Sequence, residues 1–347
     1  MRILYGVAGQ GSGHATRSRA VLEHLRAVGH DVHVVAHDAS FAHLHDDFPT
    51  TRITGLEIAY AENRVQIIRT AFANALRAPG NTRSIDRVRR VIDTFDPQVV
   101  CSDYEPIVGM IARLKHRPLL SIDNIHALTR TDIAVPPRHT LAARTARTVT
   151  ELVNAGSDAY VVTAFAPLMP TRPNTHVVPP LLRDAVLRQH PRRGRSVLVY
   201  STSADRELLD VLQRVRAHFI VYGIPRGRRA ANITSKRPNP TTFLRDLATC
   251  RAVIATAGFT LMTEALHFGK PLLAHPIAGQ FEQIANGLLL EELGYGKMWE
   301  TLDRERVEAF LYNGDGYADA LARYPRHDNT KAFTVIDRLI ERLARRP

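Results

Sequence analysis

Two hydrophobic rhythms alternate along this chain. Short, nearly continuous apolar runs at 3–7, 31–36, 98–102, 118–122 and 159–163 read as strands, and helix-period segments separate them. A strand covered on both faces is apolar at most positions, so such runs predict strands inside parallel sheets. Between the first two runs, Val21, Leu22, Leu25 and Val28 return at helical spacing on one face, and Gly29 ends that helix. Strands alternating with helices in this way predict βα units.

From Met169 to Arg195 the rhythm breaks on Pro170, Pro173, Pro179, Pro180 and Pro191, interspersed with arginines. Proline removes backbone donors and interrupts periodicity, so this segment reads as a connection between domains. The pattern then restarts with runs at 196–200, 218–222, 252–255 and 271–275, and with helices at 206–216, 260–268 and 281–293. A last helix, 329–345, sets Phe333, Ile336, Ile340 and Leu343 on one stripe. At 347 residues the chain exceeds what one hydrophobic core sustains, so two α/β domains are expected, 1–180 and 181–328, followed by the segment 329–347. Two such halves imply a cleft, with ligands gathering at the carboxyl ends of the strands.

Composition narrows the class. Hydrophobic residues make up 45% and charged residues 23%, as in ordinary globular proteins. No apolar run approaches the length of a membrane span, and the N-terminus enters a strand directly rather than through a signal-peptide pattern. Cys101 and Cys250, the only cysteines, each stand beside an apolar stretch, which predicts buried, reduced thiols and a cytoplasmic address. The net charge of +12 attracts polyanions. Without an RNP-like run or zinc spacing, nucleic acid is not the expected partner. Arg64, Arg69, Arg77, Arg83, Arg87, Arg89 and Arg90 form either a solvated basic face or a peripheral contact with an anionic membrane.

Two segments carry candidate chemistry. The first is Gly9-Gln-Gly-Ser-Gly13-His14, directly after the first strand and opening a helix. Gly11 and Gly13 let backbone N–H groups approach an anion at the positive end of that helix. His14 stands where a nicotinamide-binding fingerprint has its last glycine, so that fingerprint is broken. The second is Ala255-Thr-Ala-Gly-Phe-Thr-Leu-Met-Thr-Glu-Ala265, followed by Gly269-Lys-Pro-Leu-Leu273 and Gly279-Gln-Phe-Glu-Gln-Ile-Ala-Asn286. Here a strand turns at Gly258 into a helix whose first residues, Phe259 and Thr260, present N–H groups to an anion. Glu264 follows about one turn later, where its oxygens suit a vicinal diol.

The second segment resembles the donor-binding half of GT-B glycosyltransferases, whose fold is two Rossmann-like domains. The likeness is to glycosyltransferase family 28, which includes the peptidoglycan N-acetylglucosaminyltransferase, and to uncharacterised relatives of it. Extending to the N-terminal glycine-rich loop and the domain order, it covers essentially the whole chain. The resemblance implies that the Gly258–Thr260 turn holds a diphosphate and that Glu264 binds ribose hydroxyls. It implies that Glu282 and Gln283 reach the donor sugar, supported by Asn286. Ser201, Thr202 and Ser203 match a second phosphate-facing loop, and residues 235–238 match the loop flanking the base. Thr256 stands where plant-type members have a phosphate-contacting histidine, and Ser201-Thr-Ser replaces a glycine-rich loop of the peptidoglycan enzyme. The last helix is implied to return to the first domain.

Inverting transfer needs a base for the acceptor hydroxyl, and histidine suits that task near neutral pH. His14 lies where plant-type relatives carry their catalytic histidine. Asp103, ending the run 98–102, stands at the matching place for the carboxylate that orients it. Asp123, Asn124 and His126 end another strand of the same sheet and are expected on the acceptor side, with Asp123 as reserve base. The chain has no D-x-D motif, so no metal is expected, and no cofactor beyond the nucleotide diphosphate sugar, UDP first. The expected activity is inverting hexosyl or N-acetylhexosaminyl transfer to an acceptor, with lipid-linked acceptors among those compatible. The alternatives are a sugar-nucleotide 2-epimerase of the same fold and a non-catalytic nucleotide-sugar-binding protein.

Overall fold

The computed structural model describes residues 1–55, 60–61, 64–65, 78–201, 206–223, 230–237 and 239–345. They form two compact units, Met1–Arg183 with His327–Pro347, and Asp184–Arg326.

The first unit is built on strands β1 (Arg2–Val7), β2 (Asp31–Ala36), β3 (Thr50–Arg52), β6 (Val99–Asp103), β7 (Leu119–Asp123), β8 (Ala159–Thr163) and β9 (Thr175–Val178), with a small hairpin of β4 (Tyr60–Ala61) and β5 (Arg64–Val65). The seven pair in the order β3-β2-β1-β6-β7-β8-β9, all parallel. Side chains of β1 alternate between two cores, as a period of two requires. Ile3, Tyr5 and Val7 join Val21, Leu22 and Leu25 of the helix Ser12–Ala27 on one face, while Leu4 joins Val88, Ile92 and Ile107 on the other.

The helix Thr330–Ala344 belongs to the first of these cores, contributing Ile336, Leu339, Ile340 and Leu343. Asn329, in left-handed backbone, anchors it: its Oδ1 accepts from Leu182 N at 2.9 Å and its Nδ2 donates to Leu182 O at 2.6 Å. His24 stacks on Phe333 with ring centroids 4.0 Å apart, and its Nε2 lies 2.9 Å from each oxygen of Asp337.

The second unit repeats the plan with β10 (Val197–Tyr200), β11 (Phe219–Tyr222), β12 (Ile233–Ser235), β13 (Ala252–Ala255), β14 (Leu272–Ala274) and β15 (Gly296–Met298), ordered β12-β11-β10-β13-β14-β15 and parallel throughout. Its core gathers Val197, Val199, Phe219, Ile254, Leu273 and Phe310. Lys270 is buried, and its Nζ donates to Arg192 O at 2.6 Å and Cys250 O at 2.9 Å.

One expectation needs correcting. The proline-rich stretch from Met169 to Arg195 is not only a connection, because it contains β9 at the edge of the first sheet. Prolines at 170, 173, 179 and 180 bracket Thr175–Val178 rather than interrupt it, and an edge strand tolerates such neighbours.

Candidate active site

In the first unit the strand order reverses at β1, whose neighbours are β2 and β6. Open parallel sheets bind ligands outside the carboxyl ends at such a switch point. Val7 and Asp103 are register partners there, and Ala8 N donates to Asp103 O at 3.0 Å. The loop after β1 is shaped by two glycines. A Cβ on Gly9 would lie 2.3 Å from the ring of His37, and Gly9 N donates to His37 Nε2 at 3.0 Å. Gly11, at φ 76°, takes backbone that favours glycine and has open space where a side chain would stand.

The helix that follows carries His14 to Asp103. His14 Nδ1 lies 2.8 Å from Asp103 Oδ1, with the histidine side chain 13% exposed and the carboxylate 0%. Arg17, one helical turn further on, donates from Nε to Asp103 Oδ2 at 2.7 Å and from Nη2 to Asp103 Oδ1. Its Nη1 donates to Asn124 Oδ1, and Ser18 Oγ donates to Asp103 Oδ2 at 2.9 Å. Burial works against the charge of Asp103, but Arg17 and then His14 outweigh it and hold the carboxyl below the usual carboxylate range. Tyr104, in left-handed backbone at φ 55°, sets its ring 6.3 Å from that of His14.

The three residues expected on the acceptor side divide. Asn124 joins the His14 cluster through Arg17. Asp123 and His126 face each other, both buried, with Asp123 Oδ2 2.7 Å from His126 Nδ1 and Asp123 Oδ1 accepting from His126 N at 2.8 Å. Ser121 Oγ donates to Asp123 Oδ2 at 2.9 Å, and His126 Nε2 lies 3.1 Å from Val153 O. Burial opposes ionisation of Asp123, yet His126, its backbone N–H and Arg17 hold the carboxyl well below the usual range. Both oxygens of the reserve base are thus already engaged within the fold.

The second unit reverses its strand order at β10. Ser201, buried, follows that strand and donates from N to Tyr222 O at 3.2 Å. Gly258 caps the helix Phe259–His267, and a side chain there would meet nothing nearer than Thr256 Oγ1 at 3.9 Å. Gly258 therefore leaves room beside the first turn, the end of the helix that carries its positive partial charge. Phe259 is buried, Thr260 half-buried and Glu264 only 2% exposed.

Asn286 Nδ2 donates to Ala257 O at 3.0 Å, which fixes the approach to that turn. Gln283 is committed inside the structure, its Oε1 accepting from Ile277 N at 2.9 Å and its Nε2 donating to Gln280 Oε1 at 2.6 Å. Glu282, half-buried, lies in the first turn of the helix Phe281–Glu292. Thr202, Ser203 and Pro238 lie outside the described residues, as do Arg69 and Arg77.

Sequence reasoning missed Arg17 and Ser18. The signal was available: they follow His14 by three and four positions, one face of one helix. Among the described residues no helix is long and apolar enough to cross a membrane.

Comparison with known proteins agrees with this architecture. An uncharacterised glycosyltransferase of Methanosarcina mazei is 24% identical over 331 residues, covering 86% of this chain and 85% of the relative. The glycosyltransferase VinC, solved in complex with dTDP, superposes with a TM-score of 0.69 at 16% identity, covering 100% of both chains. An Arabidopsis thaliana protein complexed with UDP superposes with a TM-score of 0.68 at 14% identity and 99% coverage of both. The model of glycosyl transferase family 1 matches residues 1–314, and the chain belongs to that family as a GT-B glycosyltransferase.

Proposed function

We propose that the chain moves a hexosyl or N-acetylhexosaminyl group from a nucleoside diphosphate sugar, UDP first, to an acceptor hydroxyl, with inversion and without a metal ion. The observation that carries this reading is the His14–Asp103 pair, 2.8 Å apart beside the switch point of the first sheet. The acceptor oxygen attacks the anomeric carbon while His14 takes its proton, and the bond from that carbon to the diphosphate breaks. A base of this kind supplies roughly 10²–10⁴-fold.

The leaving diphosphate gains negative charge, and the N-terminal turn at Gly258–Thr260 is suited to receive it, since fixed N–H dipoles need no reorganisation as the charge develops. We assign Glu264, one turn further along that helix, to the ribose hydroxyls, and Glu282, in the first turn of the helix Phe281–Glu292, to the donor sugar. The UDP and dTDP complexes of the structural neighbours make pyrimidine nucleotides the first donors to try.

Charge suggests where the acceptor is met. Arg83, Arg87, Arg89 and Arg90 are all exposed on the helix Ala78–Phe95. That helix shares a core with the helix Pro106–Leu114, whose Met110 and Leu114 are exposed. Basic and apolar side chains together suit peripheral contact with an anionic lipid surface.

The test is a panel of UDP, dTDP, GDP and ADP sugars, scored by thermal shift and by release of the nucleoside diphosphate. A donor at 100 times its dissociation constant should stabilise the protein by about 2.7 kcal/mol. Glu264→Ala should abolish that shift in protein that still folds. Turnover is expected to survive excess EDTA. Loss on chelation with recovery on manganese or magnesium overturns the metal-free mechanism, and stabilisation by none of the donors overturns the donor assignment.

A further inference from the structure

Arg17 is not one of the solvated charges of this basic protein, being 5% exposed. Its guanidinium grips both oxygens of Asp103, Nε on Oδ2 and Nη2 on Oδ1, while Nη1 reaches Asn124. Such two-point contacts fix the plane of a carboxylate. Arg17 also links the end of β6 to the residue that follows β7. The same Nη2 stands 2.6 Å from His14 Nδ1. A guanidinium carries donors only, so for a proton on Nδ1 the acceptor at hand is Asp103 Oδ1, at 2.8 Å.

We infer that Arg17 is a positioning residue that keeps the His14–Asp103 pair in the proton arrangement of a base, with Nδ1–H donating to an ionised Asp103 and the Nε2 lone pair directed outward. The inference rests on the reading of His14 as base. A carboxylate with no solvent contact and no fixed cation tends to take up a proton. A protonated Asp103 would donate to Nδ1, move the imidazole proton to Nε2, and leave no lone pair for the acceptor's proton. Arg17 keeps its charge throughout the range in which proteins function, so it blocks this inversion.

The order of influences on Asp103 agrees, with burial opposing its charge and Arg17, ahead of His14, restoring it. Among the described residues, the charged and titratable groups against His14 are Arg17 on its own helix, Asp103 at the end of β6 and Tyr104 after it. Tyr5 of β1 interacts with both Asp103 and Arg17, and Asp123 of β7 interacts with Arg17.

The experiment reads the tautomer directly, by long-range ¹⁵N–¹H correlation on histidine-labelled protein at neutral pH, with His14 assigned by its absence in His14→Ala. The parent is expected to show Nδ1–H, Arg17→Gln to show Nε2–H, and Arg17→Lys to recover Nδ1–H in part. Turnover of Arg17→Gln should fall on the order of 10²-fold with the donor KM unchanged, and Arg17→Lys should regain part of it. Nε2–H in the parent overturns the inference, because Arg17 rather than Asp103 then holds Nδ1. Nδ1–H persisting in folded Arg17→Gln overturns it as well. Should that variant fail to fold, the parent spectrum and Asn124→Ala decide, since removing only the Nη1 anchor must leave Nδ1–H in place. A switched tautomer with full turnover upholds the hold of Arg17 on the pair and removes His14 as base.

Discussion

The side-chain amide of Asn286 donates to the carbonyl oxygen of Ala257 at 3.0 Å, tying the helix Phe281–Glu292 to the turn that enters the helix Phe259–His267. Both residues are buried, so the bond is made where water does not compete for it. Asn286→Ala is expected to cost about 1–3 kcal/mol of stability by leaving the carbonyl unsatisfied. It should also weaken nucleotide-sugar binding several-fold, because the turn proposed to hold the diphosphate loses its support. Denaturant unfolding and calorimetric titration read the two effects separately. Lowered stability with unchanged donor affinity would confine Asn286 to packing.

Glu105 makes stability depend on pH in a direction that can be checked. It caps the helix Pro106–Leu114 through Oε2, which accepts from Val108 N at 2.6 Å, while Oε1 is buried with no hydrogen-bond partner among the described residues. Burial pushes the carboxyl up to about 7, against the smaller downward pull of the helix N–H groups. A group raised in the folded state contributes stability that is complete below its unfolded value, about 4.3, and is lost as pH rises through the folded one. Between those limits the stability of the parent should fall relative to Glu105→Gln by at most about 1.4 kcal/mol per pH unit. Parallel stability curves for the two proteins would show that Glu105 does not titrate in this window.

What the sequence makes legible follows from burial. All nine apolar runs are strands, because a central parallel strand is covered on both faces and must be apolar along its length. The strands it hides in the two parallel sheets are edge strands: Thr50–Arg52, Ile233–Ser235 and Gly296–Met298 are three residues each, and Thr175–Val178 hides among prolines. In the site, His14 and Asp103 are readable as residues that follow or end adjacent strands. Arg17 is not, since one arginine among many reads as a surface charge until its partners are seen. Gln283 differs again. Its position in the motif is plain, but its bonds to Ile277 and Gln280 depend on the fold of the preceding loop.

Membrane contact predicts a salt signature. Arg83, Arg87, Arg89 and Arg90 with Met110 and Leu114 should bind vesicles in proportion to their anionic lipid content and release them as salt rises, since surface attraction is screened within about 8 Å at physiological ionic strength. Replacing the four arginines by glutamine should remove sedimentation with vesicles while donor binding is unchanged. Equal sedimentation of parent and variant at low salt would leave those arginines as a solvated face.

The His14–Asp103 pair makes the sharpest prediction, and Arg17 changes how it must be tested. His14→Ala should lower kcat by roughly 10²–10⁴-fold with donor affinity little changed, because the base acts on the acceptor. The histidine stands at the rim of the cluster, so stability should be largely kept. Asp103→Asn is a different experiment, since it strands the buried guanidinium of Arg17 without its counter-charge. Breaking a buried pair in that way costs about 3–5 kcal/mol, so the loss of turnover would mix chemistry with unfolding. The cleaner cycle therefore compares His14→Ala with Asp103→Asn joined to Arg17→Gln, which removes both charges together. Non-additive losses of turnover across that cycle mark the group as one catalytic unit. If His14→Ala instead raises the donor's Kd and spares turnover at saturation, His14 is a phosphate contact. Asp123 is then a poor substitute as base, because Ser121 and His126 already occupy its oxygens.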